Sequence, residues 1–569
     1  MRGGFQWQWC GVAMKCPCAY AILIVTGVAL GQAGVPQAAV GQTLNDGFAA
    51  MEQGDFFTAF TAMRRLEQAG DPHAARLLEQ VFQTPSVQAA AAPVPPVTAY
   101  ARPARPAPAQ SPRPNQRPVL TPVPVALPVA APPAEAPGRA ALPLPPHDLP
   151  APLSGADFHY SDPLLADIGR LLFFDPVLSG NKDTSCATCH HPRHASGDGV
   201  SLGLGTGAQG LGPDRSPEGA RAAQRRIPRN APALWNLGAR EIHVLFHDGR
   251  LEKDPARPGK LLTPQGPLDY MVLDTILSAQ ALFPVLSAEE MSGQPGENPI
   301  ADAVADQRVH GDDGAWALLA ARVDALEPYN SAFTALRGAP GPLRMDEIAN
   351  ALGAFIAREF RADQTPFDLY LRETGAMSPE AGEGMRLFYG RANCAACHSG
   401  PLLSDQKFHA MGQPAIGPGK DRDAEGYTRD LGRGFVTLDP DDAYRFRTPM
   451  LRNVLHTGPW GHSGAFSDLA DFLRHHLDPV TGLAAYAPQA VLPELAAAED
   501  DYATIDNANA RAAISDAAAR DMAARPLVTL QDDEIALLIA FLGALSDETA
   551  LAGRSSVPES VPSGLSVDR

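Results

Sequence analysis

Two short stretches decide the fold of this 569-residue chain: Cys186-Ala-Thr-Cys-His190 and Cys394-Ala-Ala-Cys-His398. Two thiols three positions apart can add to the two vinyl groups of one haem, and the histidine that follows is then placed beneath the iron. A tetrahedral zinc site built from both pairs, or thiol redox chemistry, is the alternative. The trailing histidines favour two covalently bound haem c groups. Their predicted protein ligands are Cys186, Cys189, His190, Cys394, Cys397 and His398.

The other three cysteines lie in an N-terminal segment that has the features of an export signal. Met14-Lys15 precedes an apolar run from Ala19 to Leu30, and small residues follow up to Ala33. The apolar run is short for a membrane span. We therefore predict a signal peptide over residues 1–33, cleaved near Ala33 or retained as an N-terminal anchor. Both export and haem attachment indicate a periplasmic protein that meets the membrane only through an uncleaved signal.

Composition divides the rest of the N-terminal part. Residues 40–84 repeat apolar side chains at helical spacing and resemble one tetratricopeptide or Sel1-like helical hairpin, which either docks a partner protein or packs as an appendage. Between Pro85 and Pro152 lie 21 of the 55 prolines, so residues 85–152 are predicted to be a Pro/Ala-rich linker. The formal net charge of −18 argues against a nucleic-acid partner, because phosphate binding requires an excess of Lys and Arg.

A series of further motifs surrounds the two CxxCH stretches. In chain order they are Leu172-Phe-Phe-Asp175, Leu178-Ser-Gly-Asn181, Arg229-Asn-Ala-Pro232, Asp248-Gly-Arg250, Phe446-Arg-Thr-Pro449 and Leu451-Arg-Asn-Val454. In this order they resemble the bacterial di-haem cytochrome c peroxidase family, including its MauG-like branch. The resemblance implies a mainly α fold with two cytochrome c-like haem domains. We place the N-terminal, peroxidatic domain at 153–370, the C-terminal, electron-transfer domain at 371–548, and a tail at 549–569.

The resemblance also implies an open iron face at the first haem. In the classical peroxidases a removable histidine caps this haem sixteen positions after the first motif histidine. That position is Thr206 here, inside the glycine-rich run Leu202–Gly212, so the cap is predicted to be absent. Three other histidines are alternative ligands, although surface or propionate-contacting roles fit them better: His191, His194 and His243.

A distal segment that matches the family lies at 280–291. Gln280, Pro284 and Glu290 have the family's four- and ten-residue spacings, and Glu290 is the predicted proton carrier because a carboxylate in an apolar pocket suits that task. Glu289 is the alternative. Both could instead be solvated glutamates at a helix start, since Ser287-Ala-Glu-Glu is a capping pattern.

For the second haem, the family places the distal ligand seventeen positions after the proline of Thr457-Gly-Pro459. That position is His476, where the relatives carry Met or Tyr. His475 would face a different direction on the same helix, and Met411 is a further candidate. An imidazole pair should lower the potential relative to a His/Met haem.

Two more positions are interpreted through the resemblance. His247 stands where the family usually has the tryptophan that bridges the haems, and Trp235 or Trp460 could replace it. The resemblance also implies an inter-haem calcium ion, since oxygen ligands suit calcium. The matching positions are Asn230, Thr457 and Pro459.

Three functions remain open. The first is reduction of hydrogen peroxide with electrons from a small periplasmic cytochrome c or copper protein. The second is a MauG-like oxidase that modifies a substrate protein, although Ala392 stands where MauG has a tryptophan. The third is a non-enzymatic di-haem electron carrier, which needs two closed irons; Thr206 and Glu290 therefore argue against it.

Overall fold

The computed structural model describes residues 147–422, 428–495, 508–523, 525 and 527–568. All of them belong to one compact unit. The predicted signal peptide, the helical hairpin and the linker up to residue 146 lie outside the described residues. In the part of the chain that is described, no helix has both the length and the apolar character needed to cross a membrane.

The fold is mainly α, as predicted, and its helices are joined by long irregular segments. In chain order they are α1 (Pro163–Phe174), α2 (Cys186–Cys189), α3 (Ile276–Gln280), α4 (Pro299–Ala305), α5 (Ala315–Asp324), α6 (Glu327–Arg337), α7 (Met345–Glu359), α8 (Pro366–Leu371), α9 (Pro379–Tyr389), α10 (Gly434–Thr437), α11 (Leu469–Leu477), α12 (Pro479–Ala485), α13 (Ala508–Met522), α14 (Asp532–Gly543) and α15 (Glu548–Leu551).

The strands are short and all pair antiparallel. They are β1 (Ala208–Gln209), β2 (Ser216–Pro217), β3 (Val244–Leu245), β4 (Leu251–Lys253), β5 (Leu261–Leu262), β6 (Phe408–His409), β7 (Asp421–Arg422), β8 (Thr428–Arg429) and β9 (Phe446–Arg447). β3, β4 and β5 form one three-stranded sheet, while β1 pairs with β2, β6 with β9 and β7 with β8. These short strands connect loops to one another, and none of the small sheets forms the core of the fold.

α1 leads into the first CxxCH motif, and Asp162-Pro163 marks its start in the sequence. The carboxylate of Asp162 accepts from the backbone N–H groups of Leu164 and Leu165 at 2.9 and 3.1 Å, and Pro163 occupies the first helical position. The helix then buries one apolar face, which includes Leu172 and Phe173. This buried face fixes the chain direction into the motif.

Two helix pairs cross closely, one near each CxxCH motif, and each crossing depends on a glycine. A Cβ added to Gly169 of α1 would overlap the carbonyl oxygen of Ala351 in α7. A Cβ added to Gly384 of α9 would overlap the carbonyl oxygen of Leu537 in α14. The α1–α7 pair contributes to one large hydrophobic cluster and the α9–α14 pair to a second. Each motif is therefore supported by its own packed helix pair.

A buried ion-pair network connects the segments that contain these two clusters. Arg229 donates to Asp248 at 2.6 Å and to Asp430 at 2.6 Å, and all three side chains are almost fully buried. Arg250 adds a second cation on Asp248 at 2.9 Å. Such a network stabilises a fold only when every charge has its partner, because burial of an unpaired charge is costly.

Candidate active site

The first CxxCH motif forms the short helix α2 and presents a histidine in a defined tautomer. Ser185 precedes the helix, and its backbone N–H donates to the hydroxyl of Thr188 at 2.9 Å. The Nδ1–H of His190 donates to the carbonyl of Ser196 at 3.0 Å. Burial lowers the pKa of His190, which keeps the imidazole neutral. Its Nε2 lone pair is therefore available to a metal ion.

The second motif repeats this arrangement. Cys394–Ala396 is a 3₁₀ turn, and the Nδ1–H of His398 donates to the carbonyl of Leu403 at 3.1 Å. Burial lowers the pKa of His398 as well. Each motif thus offers one Nε2 lone pair beside two thiols, which is what covalent haem attachment requires.

The thiol chemistry of the two motifs disfavours the alternatives to haem. All four described cysteines are free, and burial raises the pKa of Cys186 and of Cys394 to about 12, whereas redox-active thiols have lowered values. Among the described residues, the cluster with suitable metal-ligand geometry is Cys397, Asp405 and His409, which does not join the two pairs. The geometry thus gives no support to a shared zinc site.

A cavity of about 290 Å³ adjoins the second motif. Cys394, Cys397 and His398 line it, and His476 of α11 lines it too. The Nδ1–H of His476 donates to the carbonyl of Phe472 at 3.0 Å, so its Nε2 is free. Burial lowers the pKa of His476 to about 3. Two neutral imidazoles with free lone pairs therefore line one cavity, as two axial ligands of one iron would.

The neighbouring histidine has a structural role. His475 is buried, and its Nε2–H donates to the carbonyl of Met411 at 2.8 Å. A Cβ added to Gly482 would lie 2.6 Å from the Nδ1 of His475. His475 is absent from the cavity wall, whereas Met411 forms part of it. The helical spacing thus separates the two adjacent imidazoles, as predicted.

Arg447 provides an independent test of whether the cavity fits a haem. This side chain lines the cavity, and its hydrogen bonds to described residues go to the backbone carbonyls of Phe246 and Thr448, at 3.2 and 3.3 Å. Burial lowers its pKa to about 10, and no described carboxylate pairs with it. The described residues that line the cavity include no Asp or Glu. A buried cation without a counter-charge fits the propionate groups of a haem.

The distal segment at the first motif is a single π turn, Ala288–Ser292. The hydroxyl of Ser287 accepts from the backbone N–H of Glu290 at 3.3 Å, which confirms the capping pattern. Burial raises the pKa of Glu290 and outweighs the nearby positive charges of Arg250 and Lys420. The carboxylate of Glu289 points instead towards the exposed Arg225, at 3.8 Å. π turns are frequent at functional sites.

The other two distal residues lie immediately before this turn. Gln280 ends α3, and its Oε1 is buried without a hydrogen-bond partner in the described part of the chain. Pro284 begins a 3₁₀ turn that ends at Leu286. An unpaired buried acceptor is costly unless a ligand or water donates to it. Gln280 is therefore suited to a small donor such as hydrogen peroxide.

Thr206, at the position of the family's removable histidine, is held by hydrogen bonds from both its backbone and its side chain. Its backbone N–H donates to the carbonyl of Glu290 at 3.0 Å, and its hydroxyl donates to Asp183 at 2.9 Å and accepts from Asn181 at 3.0 Å. A Cβ added to Gly205 would overlap the carbonyl oxygens of the distal turn. The glycine-rich run therefore packs directly on the distal segment and presents no imidazole there.

The three alternative histidines make their described contacts elsewhere. His243 is exposed, and the Nδ1 of His191 accepts from the backbone N–H of Arg193 at 3.1 Å. The ring of His194 lies against Gly199 and Gly212. None of these contacts reaches the described distal turn.

The residues between the two motifs include one tryptophan that adjoins both. The indole N–H of Trp235 donates to the carbonyl of Ala195 at 2.9 Å, next to the Ser196 carbonyl that accepts from His190. Trp235 also lines the cavity at the second motif. Trp460 also lines the cavity, but its N–H donates to Val454 at 2.9 Å. Trp235 is thus the better placed of the two predicted substitutes.

His247, in the usual tryptophan position, is a neutral imidazole in the wall of the cavity. Its Nε2–H donates to the carbonyl of Asn230 at 3.2 Å. Burial and the charge of Arg229 lower its pKa to about 3. It therefore carries no charge at neutral pH.

The three positions predicted for calcium also line this cavity. The side-chain amide of Asn230 donates to Val200 at 2.7 Å, which leaves its Oδ1 free. The carbonyls of Thr457 and Pro459 accept no hydrogen bond from the described residues. Three free oxygens fit a calcium ion, which prefers such ligands.

Two arginines of this region, Arg250 and Arg447, have functions that no sequence pattern indicates. Arg250 stacks over the ring of Phe246, 3.7 Å from its centroid, and Arg447 lines the cavity. Both lie within motifs that the family resemblance rests on. Neither arginine stands out from its neighbours in the sequence, since Asp248 precedes Arg250 and Arg445 precedes Arg447.

Comparisons with known proteins find one matching family model and several related sequences. Residues 163–376 match the family model described as di-haem cytochrome c peroxidase. The chain is 29% identical over 314 residues to the methylamine utilization protein MauG of Methylorubrum extorquens, covering 54% of this chain and 67% of that protein. It is also 29% identical over 359 residues to the cytochrome-c peroxidase IdrP1 of Denitromonas iodatirespirans, covering 59% and 76%.

A solved structure gives a weaker likeness. A MauG-like protein associated with microbial copper homeostasis aligns with 73% of this chain and 98% of its own, at 25% identity and a TM-score of 0.46. The family match and the two sequence relatives confirm the resemblance that the order of motifs indicated.

Proposed function

We propose that this relative of the di-haem cytochrome c peroxidases reduces hydrogen peroxide at its first CxxCH motif. Electrons would enter at the second motif from a small periplasmic redox protein, either a cytochrome c or a copper protein. The proposal rests on two haem c cofactors, one on each motif. Bound haem iron supplies a coordination position for peroxide and a path for electrons. The relatives named as peroxidases support this activity.

The observation that carries the proposal is the contact between Thr206 and Glu290. The N–H of Thr206 donates to the Glu290 carbonyl at 3.0 Å, and Asp183 accepts from its hydroxyl at 2.9 Å. Thr206, which has no imidazole, is thereby held at the position of the family's capping histidine. It lies directly beside Glu290, the predicted proton carrier. This arrangement suits a site that is open to a small molecule from the start.

Glu290 would take a proton from peroxide and return it to the departing oxygen. Burial raises its pKa, which makes it a better base than an exposed glutamate, while Arg250 and Lys420 limit that rise. General acid–base groups of this kind contribute roughly 10²–10⁴-fold in rate. Gln280, with its unpaired Oε1, would accept a hydrogen bond from the peroxide and orient it.

At the second motif, His398 and His476 would supply the protein ligands of the iron, and Arg447 would neutralise a propionate. Asn230, Thr457 and Pro459 would hold a calcium ion through three oxygens. With two imidazoles as its protein ligands, a haem held there would have a low potential.

A second candidate function is a MauG-like oxidation of a substrate protein. The MauG relative and the imidazole at position 476 favour it, since a low-potential second haem is a poorer acceptor for a high-potential donor. It would use the same first site and the same proton carrier. The two candidate functions differ in what the protein oxidises.

Peroxide turnover with a defined donor tests the proposed function. Purified holoprotein is mixed with hydrogen peroxide and a reduced small cytochrome c, and donor oxidation is followed in the visible spectrum. We expect two donor molecules oxidised per peroxide, because the reduction of peroxide to two waters consumes two electrons. A di-haem protein that leaves both donor and peroxide unchanged would refute it. Peroxide consumption with covalent change in a protein partner would favour the second function.

A further inference from the structure

The C-terminal strap, residues 553–568, runs back from α15 towards the first CxxCH motif. The backbone N–H of Arg554 donates to Glu359 at 2.9 Å, and Arg170 donates to the carbonyl of Ser556 at 2.9 Å. Val561 is buried in the same hydrophobic cluster as α1 and α7. The strap is therefore an integral part of the packing around the first motif.

Further along, the strap satisfies a fully buried carboxylate. Asp175 ends α1, and it accepts from the hydroxyl of Ser563 at 2.6 Å and from its backbone N–H at 3.2 Å. Val177 N–H and Tyr329 OH supply its other two hydrogen bonds, at 3.0 and 2.9 Å. A buried charge needs such partners. The strap thus provides half of the hydrogen bonds of this group.

The strap then reaches the CxxCH motif itself. The hydroxyl of Thr188, which lies between the two motif cysteines, donates to Asp568 at 2.6 Å. The same hydroxyl accepts from the backbone N–H of Ser185 at the start of α2. A hydrogen bond to a carboxylate is stronger than one between neutral groups. Asp568 is therefore tied to the loop that carries His190, two residues beyond Thr188.

An electrostatic link extends from Asp568 to the opposite side of the site. The charge of Asp568 acts on Arg215, whose guanidinium donates to the carbonyls of Leu204 and Gly205 at 2.6 and 2.7 Å. Gly205 packs against the distal turn that contains Glu290. One strap residue is thus connected both to the attachment loop and to the glycine-rich run.

We propose that Asp568 is a positioning residue of the first haem site. By holding Thr188, it fixes the attachment loop and would thereby influence how strongly a haem carried by this motif binds a small ligand. This rests on the proposed function only in that a haem is carried by Cys186 and Cys189. The strap touches none of the reacting atoms and acts through the motif loop.

A double-mutant cycle on the full-length holoprotein tests this role. Asp568→Ala and Thr188→Val each remove one side of the same hydrogen bond, and cyanide binding to the ferric protein is followed in the visible spectrum. We expect each single variant to weaken cyanide affinity by about 3–10-fold, from the size of one hydrogen bond, and the double variant to be no weaker. Two effects that multiply, or wild-type affinity in both variants, would overturn the proposal.

Matched variants guard against general damage. Ser566→Ala changes an exposed strap residue and should leave affinity unchanged, and Thr188→Ser keeps the hydroxyl and should behave as wild type. Hydrogen exchange of residues 185–190 gives a readout that needs no ligand. We expect protection there to fall by about tenfold in Asp568→Ala and in Thr188→Val, because one net hydrogen bond is lost. Unchanged protection would overturn the proposal.

The cycle also separates this proposal from the proposed function. A protein that couples Asp568 to Thr188 but does not reduce peroxide would refute the function and retain the positioning role. A protein that reduces peroxide without such coupling would do the reverse.

Discussion

The backbone N–H of Thr206 donates a 3.0 Å hydrogen bond to the carbonyl of Glu290. This bond joins a glycine-rich run to a π turn that lies more than eighty residues further along the chain. It brings the position of the family's removable histidine next to the predicted proton carrier. The peroxide site of our proposal is therefore defined by backbone packing as well as by side-chain chemistry.

The close packing at Gly205 should be essential for this geometry. A Cβ at this position would overlap the carbonyl oxygens of Glu289 and Glu290, so Gly205→Ala should displace the turn and lower the free energy of unfolding by about 1–3 kcal/mol. We expect a slower reaction with peroxide in rapid-mixing experiments. Gly341→Ala is the control, since nothing lies within 4 Å of a Cβ there. Equal behaviour of the two variants would contradict the packing argument.

The assignment of the second axial ligand predicts different effects for two adjacent histidines. His476→Gly should convert the low-spin signal of the second haem to high spin in electron paramagnetic resonance. His475→Ala should keep that signal but lower the free energy of unfolding by about 1–3 kcal/mol, because the Met411 carbonyl loses its donor. Loss of the low-spin signal in the His475 variant alone would make His475 the ligand.

Trp235 should be the more important of two buried tryptophans for electron exchange between the haems. Trp235→Phe and Trp316→Phe each remove an indole N–H that donates at 2.9 Å, so both should lose about 1 kcal/mol of stability. Of these two tryptophans, Trp235 lines the cavity at the second motif and Trp316 does not. Flash-photolysis measurement of inter-haem equilibration should therefore show slowing in the Trp235 variant alone. Equal rates in both would remove Trp235 from the path.

The buried network around Arg229 should dominate acid stability. Burial opposes the ionisation of Asp248, but Arg229 and Arg250 outweigh it and lower the pKa to about 2. A lowered folded-state pKa stabilises the fold above the unfolded value of about 3.9, and this contribution is lost as pH falls through the folded value. Asp248→Asn should lower the free energy of unfolding by about 3–5 kcal/mol at pH 7, because Arg229 loses one of its two carboxylate partners. Denaturant unfolding measures this change.

The pH dependence of the stability difference tests whether the effect comes from the charge of Asp248. The difference in unfolding free energy between wild type and Asp248→Asn should shrink from about pH 4 to pH 2. Asp269→Asn, in the exposed pair with Lys260 at 3.1 Å, should change stability by no more than about 1 kcal/mol. A pH-independent difference would show that the charge of Asp248 is not what stabilises the network.

Much of the candidate site can be predicted from the spacing of residues that are close in sequence. The CxxCH motifs, the cap of α1 at Asp162 and the different directions of His475 and His476 all follow from residues that are close in sequence. α14 begins at Asp532, and it ends at Gly543 because the following turn tightens to a shorter hydrogen-bond step. Such ends vary by one or two residues.

The other features of the site depend on contacts between residues that are far apart in sequence, and no local pattern predicts such contacts. Thr188 and Asp568 are 380 positions apart, so their hydrogen bond depends on the whole fold. The place of Trp235 beside both motifs and the lack of a counter-charge at Arg447 also depend on which distant segments meet. The sequence can identify these residue types but not their neighbours.

The most direct test of the account is the reaction of Glu290→Gln with hydrogen peroxide under rapid mixing. The amide keeps the shape of the side chain but cannot take up the proton, so we expect the reaction to slow by roughly 10²–10⁴-fold while both haems load normally. Glu289→Gln is the matched control, because that carboxylate points to the exposed Arg225. It should react at the wild-type rate. A wild-type rate in Glu290→Gln would contradict the account.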